Sequence, residues 1–340
     1  MSDSKQPYIG GQAVIEGVMM RAPGCLSVAV RKPDGSIAVR EGPVASRMAR
    51  SKLWKLPFVR GVATLVESLS IGYGALRFSA EQQLTEEELE ETGTGSGRGM
   101  MILTTVFALG LFMALPQAAT EGTSMLFGID LPQEGWQFHA ITGGFKLLVF
   151  TLYLFAISRL DDIRRVFQYH GAEHKTIFAY EAGLPLTVEN VKKQSTLHPR
   201  CGTTFLIVVI FVSVIAGTIV TPLLMPEWAT GRFEKTLITL AVRIALLPPV
   251  AAISYELQRV SARYCTTGPL QVLLWPGFLF QKITTREPDD TQIEIAIAAM
   301  RAAMWREDNR EAESDETPLI FDSFESFLEG AESSLRPQKA

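Results

Sequence analysis

Cysteine and histidine are scarce in this chain, at three and four of 340 residues. The thiols Cys25, Cys201 and Cys265 are odd in number and widely scattered, which excludes a disulfide-stapled scaffold and reads as reduced thiols facing the cytosol. An excess of either charge is also lacking: the net charge is −4 and the pI about 5.7, so no nucleic-acid partner is expected. The opening "MSDSKQPYIGG" lacks an apolar core behind a basic start, so no cleavable export signal is expected. There is no internal repeat. What the chain has in quantity is apolar residues, 47% of the total with a mean hydropathy of +0.17, more than a typical soluble domain.

Crossing a bilayer takes roughly 20 mostly apolar helical residues. Four segments meet that template, beginning at Met100, Phe145, Thr203 and Thr236. The second is short before its charged end, and residues 140–144 can lengthen it. Lysine and arginine set the orientation. Arg31, Lys32, Arg40, Arg47, Arg50, Lys52, Lys55 and Arg60 precede the first segment, whereas residues 120–139 hold no Lys or Arg. Arg164, Arg165, Lys175, Lys192, Lys193 and Arg200 lie between the second and third. The expected topology is therefore four spans with both termini cytoplasmic. Residues 61–80 are apolar at helical spacing but interrupted by Glu67 and glycines, and read as an interfacial or re-entrant helix.

The fold class expected is a mainly α, polytopic membrane helical bundle with a small cytoplasmic N-terminal β element over residues 1–60. "GCLSVAVRKPDGSIAVREG" alternates around the turn sequence "PDG", the pattern of a hairpin. Residues 61–99 carry the interfacial helix and an acidic, Gly-rich linker. The bundle occupies 100–257, with a cytoplasmic loop at 161–202. Residues 258–305 form a cytoplasmic segment with an amphipathic helix. The acidic tail at 306–340 is expected to be disordered or to bind a protein partner.

Chemistry concentrates in "YHGAEHKTI", from Tyr169. On a helix, His170, Glu173, His174, Ile177 and Glu181 share one stripe. Their order, H-x-x-E-H, is the inverted zincin pattern, in which the histidines hold zinc and the glutamate handles a proton of the activated water. Glu173 is then the catalytic candidate. A second group, "HPRCGT", begins at His198 and opens the third span; Pro199 suits a helix start, and free amides there favour negative charge on Cys201. His198 and Cys201 are both of zinc-ligand type. The simpler reading makes His170 and His174 partners of Glu173 and Glu181, with His198 and Cys201 ordinary helix-start residues. His139 reads as a solvated loop residue. Arg243 lies inside the fourth span, as a functional group or a snorkelling one. Glu256, at the inner end of that span beyond Pro248 and Pro249, is a candidate third carboxylate.

With these motifs in view, the chain resembles the YqhQ-like bacterial membrane proteins, a domain-of-unknown-function family described as predicted metal-dependent enzymes. The resemblance rests on "GGQAVIEGVMMR", "YHGAEHK", "HPRCGT", "ISYEL" and "PGFLFQKITTREPDD" in that order, over Tyr8 to about Met300. It implies a multi-span inner-membrane protein with its signature residues on the cytoplasmic side, and brings no substrate. Within its first motif, Glu16 is either a ligand or supporting base at the site, or one half of a surface ion pair.

The leading expectation is a cytoplasm-facing site for a divalent metal, zinc by ligand type, built from His170, His174 and either His198 or Cys201, in a hydrolase of the broadest class. Glu181, Glu256 and Glu16 are further candidates for the site. The rival is a non-catalytic scaffold whose metal clamps cytoplasmic segments to the bundle, which requires a closed set of four protein ligands.

Overall fold

The computed structural model describes residues 7–44, 56, 58–85, 88, 97–265, 269–310 and 317–334. Arg47, Arg50, Lys52, Lys55 and most of the acidic linker lie outside the described residues.

Three helical stretches are long and apolar enough to cross a membrane, and a bent pair makes a fourth. The first runs over Ile102–Phe127. It is built from α2 (Gly97–Leu109), a π-helical turn at Gly110–Ala114, and α3 (Leu115–Phe127). The second is α4 (Trp136–Ile157), which extends well upstream of its purely apolar stretch. The third is α7 (Gly202–Leu224). The fourth consists of α8 (Arg232–Ala245) and α9 (Leu247–Tyr264), bent by 47°. Pro248 and Pro249 open α9, where missing N–H groups prevent the hydrogen bonds that would continue α8 straight through.

The hairpin is present. β3 (Cys25–Arg31) and β4 (Ile37–Pro43) pair antiparallel. Gly35 supplies the positive φ of 90° in the turn, and Asp34 Oδ1 accepts from the Ser36 amide at 2.9 Å. With β1 (Gly10–Val14) and β2 (Gly17–Arg21) they form an antiparallel sheet. Its fifth strand is β5 (Leu319–Phe321), which pairs with β4. The C-terminal segment expected to be loose thus closes the sheet, and is followed by α12 (Phe324–Ser334), whose Phe327 is fully buried. Two aromatic anchors, Phe321 and Phe327 in edge contact at 5.3 Å, outweigh its acidic composition.

One face of the sheet carries α11 (Asp290–Asp308) and α5 (Asp161–Glu181). α11 was expected to bury one face. Instead Ile293, Ile295, Ala296, Ile297, Ala298, Ala299 and Met300 are all buried, because small alanines let the sheet and neighbouring helices close around it. Ser27 Oγ donates to the Ala299 carbonyl at 2.5 Å and the Gly24 amide to Glu307 at 2.9 Å, tying sheet and helix together. On the other face lies α1 (Val59–Glu81), through Ala75 and Phe78. It is one unbroken helix of 23 residues, so it is not a re-entrant loop. Its Val66, Leu69, Tyr73 and Leu76 form an exposed apolar stripe at helical spacing.

Two polar residues differ from expectation. His139 is 2% exposed, inside the first turns of α4, with Nδ1 3.3 Å from Arg243. The helix begins at Trp136, earlier than the apolar run, so His139 is inside it and not in a solvated loop. Arg243 does not snorkel. It is 7% exposed and donates to Gln117 Oε1 at 3.0 Å.

Candidate metal centre

α5 starts with Asp161 and Asp162 in its first turn, where the helix dipole favours acids, and ends beside Gly183 at φ 65°. Four-residue spacing stacks His170 and His174 on one face, with ring centroids 4.4 Å apart. Each ring is aimed by a backbone carbonyl: His170 Nδ1 lies 2.8 Å from the Thr284 oxygen and His174 Nδ1 2.5 Å from the Thr196 oxygen. A carbonyl only accepts, so Nδ1 of each ring carries a proton, and in the neutral tautomer Nε2 is the nitrogen that offers a lone pair. That is the arrangement in which histidines hold metals.

Cys201 meets them from the start of α7. Its Sγ caps that helix, accepting from the Thr203 amide at 3.5 Å, and sits 3.2 Å from His170 Nε2. The ligand atoms of His170, His174 and Cys201 all lie within 4.8 Å of one another. Tetrahedral zinc with bonds of about 2.0–2.3 Å sets its ligand atoms about 3.3–3.7 Å apart. The residues present fit such an ion with only small side-chain adjustment, and their N/N/S character suits zinc.

His198 stands one ring further out, 5.5 Å from His174 and 4.6 Å from Phe178. Gln281 on α10 (Trp275–Thr284) grips its backbone on both sides, accepting from its N–H and donating to its C=O, each at 2.8 Å. Its Nδ1 accepts from the Arg200 amide at 3.3 Å, while its buried Nε2 has no hydrogen-bond partner. Burial pushes its pKa down to about 4, so it is neutral.

Glu173 points toward β1, where a Cβ on Gly11 would fall 2.7 Å from its Cγ. Gly11 of the first motif is thereby explained: it admits the glutamate, whereas a Cβ on Gly10 would meet nothing within 4 Å. Burial pushes the Glu173 carboxyl up, and His170 and His198 pull it back.

The other candidate carboxylates are engaged elsewhere. Glu181 is paired with Arg200 and lies 3.7 Å from His198 Nε2. Glu16, at φ 51° in the β1–β2 turn, holds Arg165 and accepts from Tyr169 Oη at 3.3 Å. Glu256 is held in two contacts by Arg60 of α1, at 2.6 and 2.5 Å, and does not reach the cluster. It fastens α1 to α9.

Sequence reasoning missed the frame of the site. Thr284 and Thr196 act through backbone carbonyls, which leave no mark in a sequence. Gly171 is the more readable case: a Cβ there would lie 2.0 Å from the Arg286 carbonyl oxygen, so only glycine lets the segment bearing Thr284 approach α5. Lys175, in the same motif, is 3% exposed and ties Glu287 to the carbonyl of Lys192, the last residue of the short α6 (Val188–Lys192).

Comparison with known proteins places this constellation in context. Residues 56–306 match the family described as "Protein of unknown function (DUF1385)". The chain is 35% identical over 303 residues to "Uncharacterized protein YqhQ" of Bacillus subtilis (strain 168), covering 86% of this chain and 90% of that protein. No solved structure matches. With its family match spanning both histidine motifs, the chain belongs to DUF1385.

Proposed function

We propose that this is a multi-pass bacterial inner-membrane protein that holds a divalent metal, zinc by its ligands, at a cytoplasm-facing centre and performs metal-dependent hydrolysis. The observation that carries the reading is the meeting of ligand atoms of His170, His174 and Cys201 within 4.8 Å of one another, with both imidazoles aimed by carbonyls.

Membrane insertion is supported by the apolar spans and by the basic residues clustered before the first span and between the second and third. The exposed stripe of α1 suits a helix lying in the interface. The acidic C-terminal tail, residues 306–340, is a candidate contact for a protein partner.

Three protein ligands rather than four favour the catalytic reading, because a structural zinc closes its shell while a catalytic one keeps a position open. A bound divalent ion supplies acidity to water and polarises a carbonyl or phosphoryl oxygen. The chain's own residues do the rest. The Thr284 and Thr196 carbonyls fix the ring orientations. Glu173, sheltered beside His170, is the group to take a proton from water and pass it on. His198 stays neutral and blocks the flank beside Phe178.

The test is metal content of detergent-purified protein. Wild type should carry about one ion per chain, His170→Ala should carry little, and Glu173→Gln should retain the ion while losing activity. Wild-type protein without stoichiometric metal sinks the reading. A scaffold role would be favoured if spectroscopy of a cobalt-loaded protein found His198 coordinated as a fourth protein ligand.

A further inference from the structure

A cavity of about 450 Å³ lies among the spans, within the roughly 300–1,000 Å³ typical of small-molecule sites. Its walls are almost entirely apolar, yet two cations line it, Lys146 and Arg243. Lys146 stands midway along α4 and donates to Ser213 Oγ at 3.2 Å, midway along α7, so this polar pair sits deep in the bundle. Arg243 is held by Gln117 and His139, both neutral acceptors. No carboxylate among the described residues lies within ion-pair distance of either cation. Glu121, whose field reaches Arg243, is itself hydrogen-bonded by Thr236 and Gln133.

Lys146 has no carboxylate partner among the described residues and Arg243 meets Glu121 only at a remove, through Gln117, an arrangement that is costly in an apolar chamber, and in a membrane such residues mark ligand sites. The surrounding backbone is irregular in the way ligand sites are. The π-helical turn carries Phe112 and Met113 onto the wall, and the bend between α8 and α9 brings Leu246 and Leu247. The chamber also reaches Thr203, whose hydroxyl lies 3.1 Å from Cys201 Sγ.

We propose that this chamber binds an amphipathic lipid anion, a carboxylate or phosphate head on an apolar chain, with the head between Lys146 and Arg243 and the chain along the apolar wall. The apolar lining selects against a free inorganic anion, and the cations select against a neutral lipid. The proposal is independent of the metal reading, since charge and chain hold the ligand with or without an ion at Cys201. The contact through Thr203 places the lipid alongside that centre.

The test uses the full chain in phosphatidylcholine nanodiscs, with and without chelator, titrated with a fluorescent polyene fatty acid, its alcohol analogue and inorganic phosphate. The acid should bind saturably in both conditions. Lys146→Met should weaken it by at least about tenfold, as expected for a desolvated charge contact, and Lys146→Arg should restore it. The alcohol should bind more weakly than the acid, and Lys146→Met should leave its binding unchanged. Val209→Trp, which fills the cavity and keeps both cations, should also weaken the acid and keeps the proposal testable if the Lys146 variants fail to fold. Equal binding of acid and alcohol to wild type overturns the proposal, as does wild-type acid affinity in Lys146→Met or in Val209→Trp. Displacement of the acid by equimolar phosphate overturns it in favour of a free-anion site.

Discussion

Replacing Gly171 by alanine adds one methyl group to the helix that carries both histidines. Alanine is the better helix former by about 0.8–1 kcal/mol, so propensity alone predicts stabilisation. Packing predicts the reverse. The new carbon would stand 2.0 Å from the Arg286 carbonyl oxygen, against an ordinary contact of at least 3.4 Å, so the backbone must retreat by about 1.4 Å. That retreat strains the Arg286 amide bond to the Phe167 carbonyl, 2.9 Å, and the Thr284 contact to His170 Nδ1, 2.8 Å. Overpacking costs about 1–3 kcal/mol and each weakened hydrogen bond about 1 kcal/mol. After the propensity gain, a net loss of about 2–4 kcal/mol is expected. Freed of its carbonyl, His170 should bind metal some 10–100-fold more weakly. Thermal unfolding and metal titration of Gly171→Ala read both quantities. The control is Gly144→Ala, a helical glycine of α4 with nothing within 4 Å of its added carbon, expected to be neutral or slightly stabilising. If Gly171→Ala behaves like that control in stability and metal affinity, the close approach does not frame the site.

Glu256→Gln should leave metal content unchanged, because Glu256 is engaged by Arg60. The partly exposed pair gives a stability loss of no more than about 1 kcal/mol by chemical denaturation. Thiol labelling with mass-spectrometric readout should separate the cysteines. Burial pushes the Cys25 thiol up to about 12, so it should stay unmodified in native protein at pH 8, whereas chelation should raise labelling of Cys201. Phe327→Ala should cost about 3–5 kcal/mol by the loss of a fully buried ring, and a variant as stable as wild type would return the C-terminal segment to a loose tail.

The helices long and apolar enough to cross a membrane were legible because membrane thickness sets a length that any window can find, and the hairpin because "PDG" between alternating residues has few other uses. The histidine pair was legible because helical period alone puts positions 170 and 174 on one face. That Cys201 rather than His198 comes within 4.8 Å of both other side chains was not legible. They are three residues apart in one loop, and the choice depends on Gln281, more than 80 residues away, gripping the His198 backbone. Glu16 and Glu256 looked like spare carboxylates because their partners, Arg165 and Arg60, are 149 and 196 residues distant in sequence. His139 was misplaced because apolar content marks where a helix is greasy, not where it begins.

The pairing of Ser27 with Ala299, 272 residues apart, also sets an order of events during biosynthesis. Strands β1–β4 are made early, but α11 and β5 leave the ribosome only after all of the long apolar helices. Until then Val18, Met20, Ala29 and Val39 of the sheet have no α11 to cover them. The sheet and its covering helix therefore mature last, and contacts of such long range close slowly. A nascent chain halted before Asp290 should present an adhesive apolar face to chaperones and proteases. Since the Thr284 carbonyl that aims His170 leads directly into that segment, the frame of the histidine cluster is among the later parts of the fold to be made.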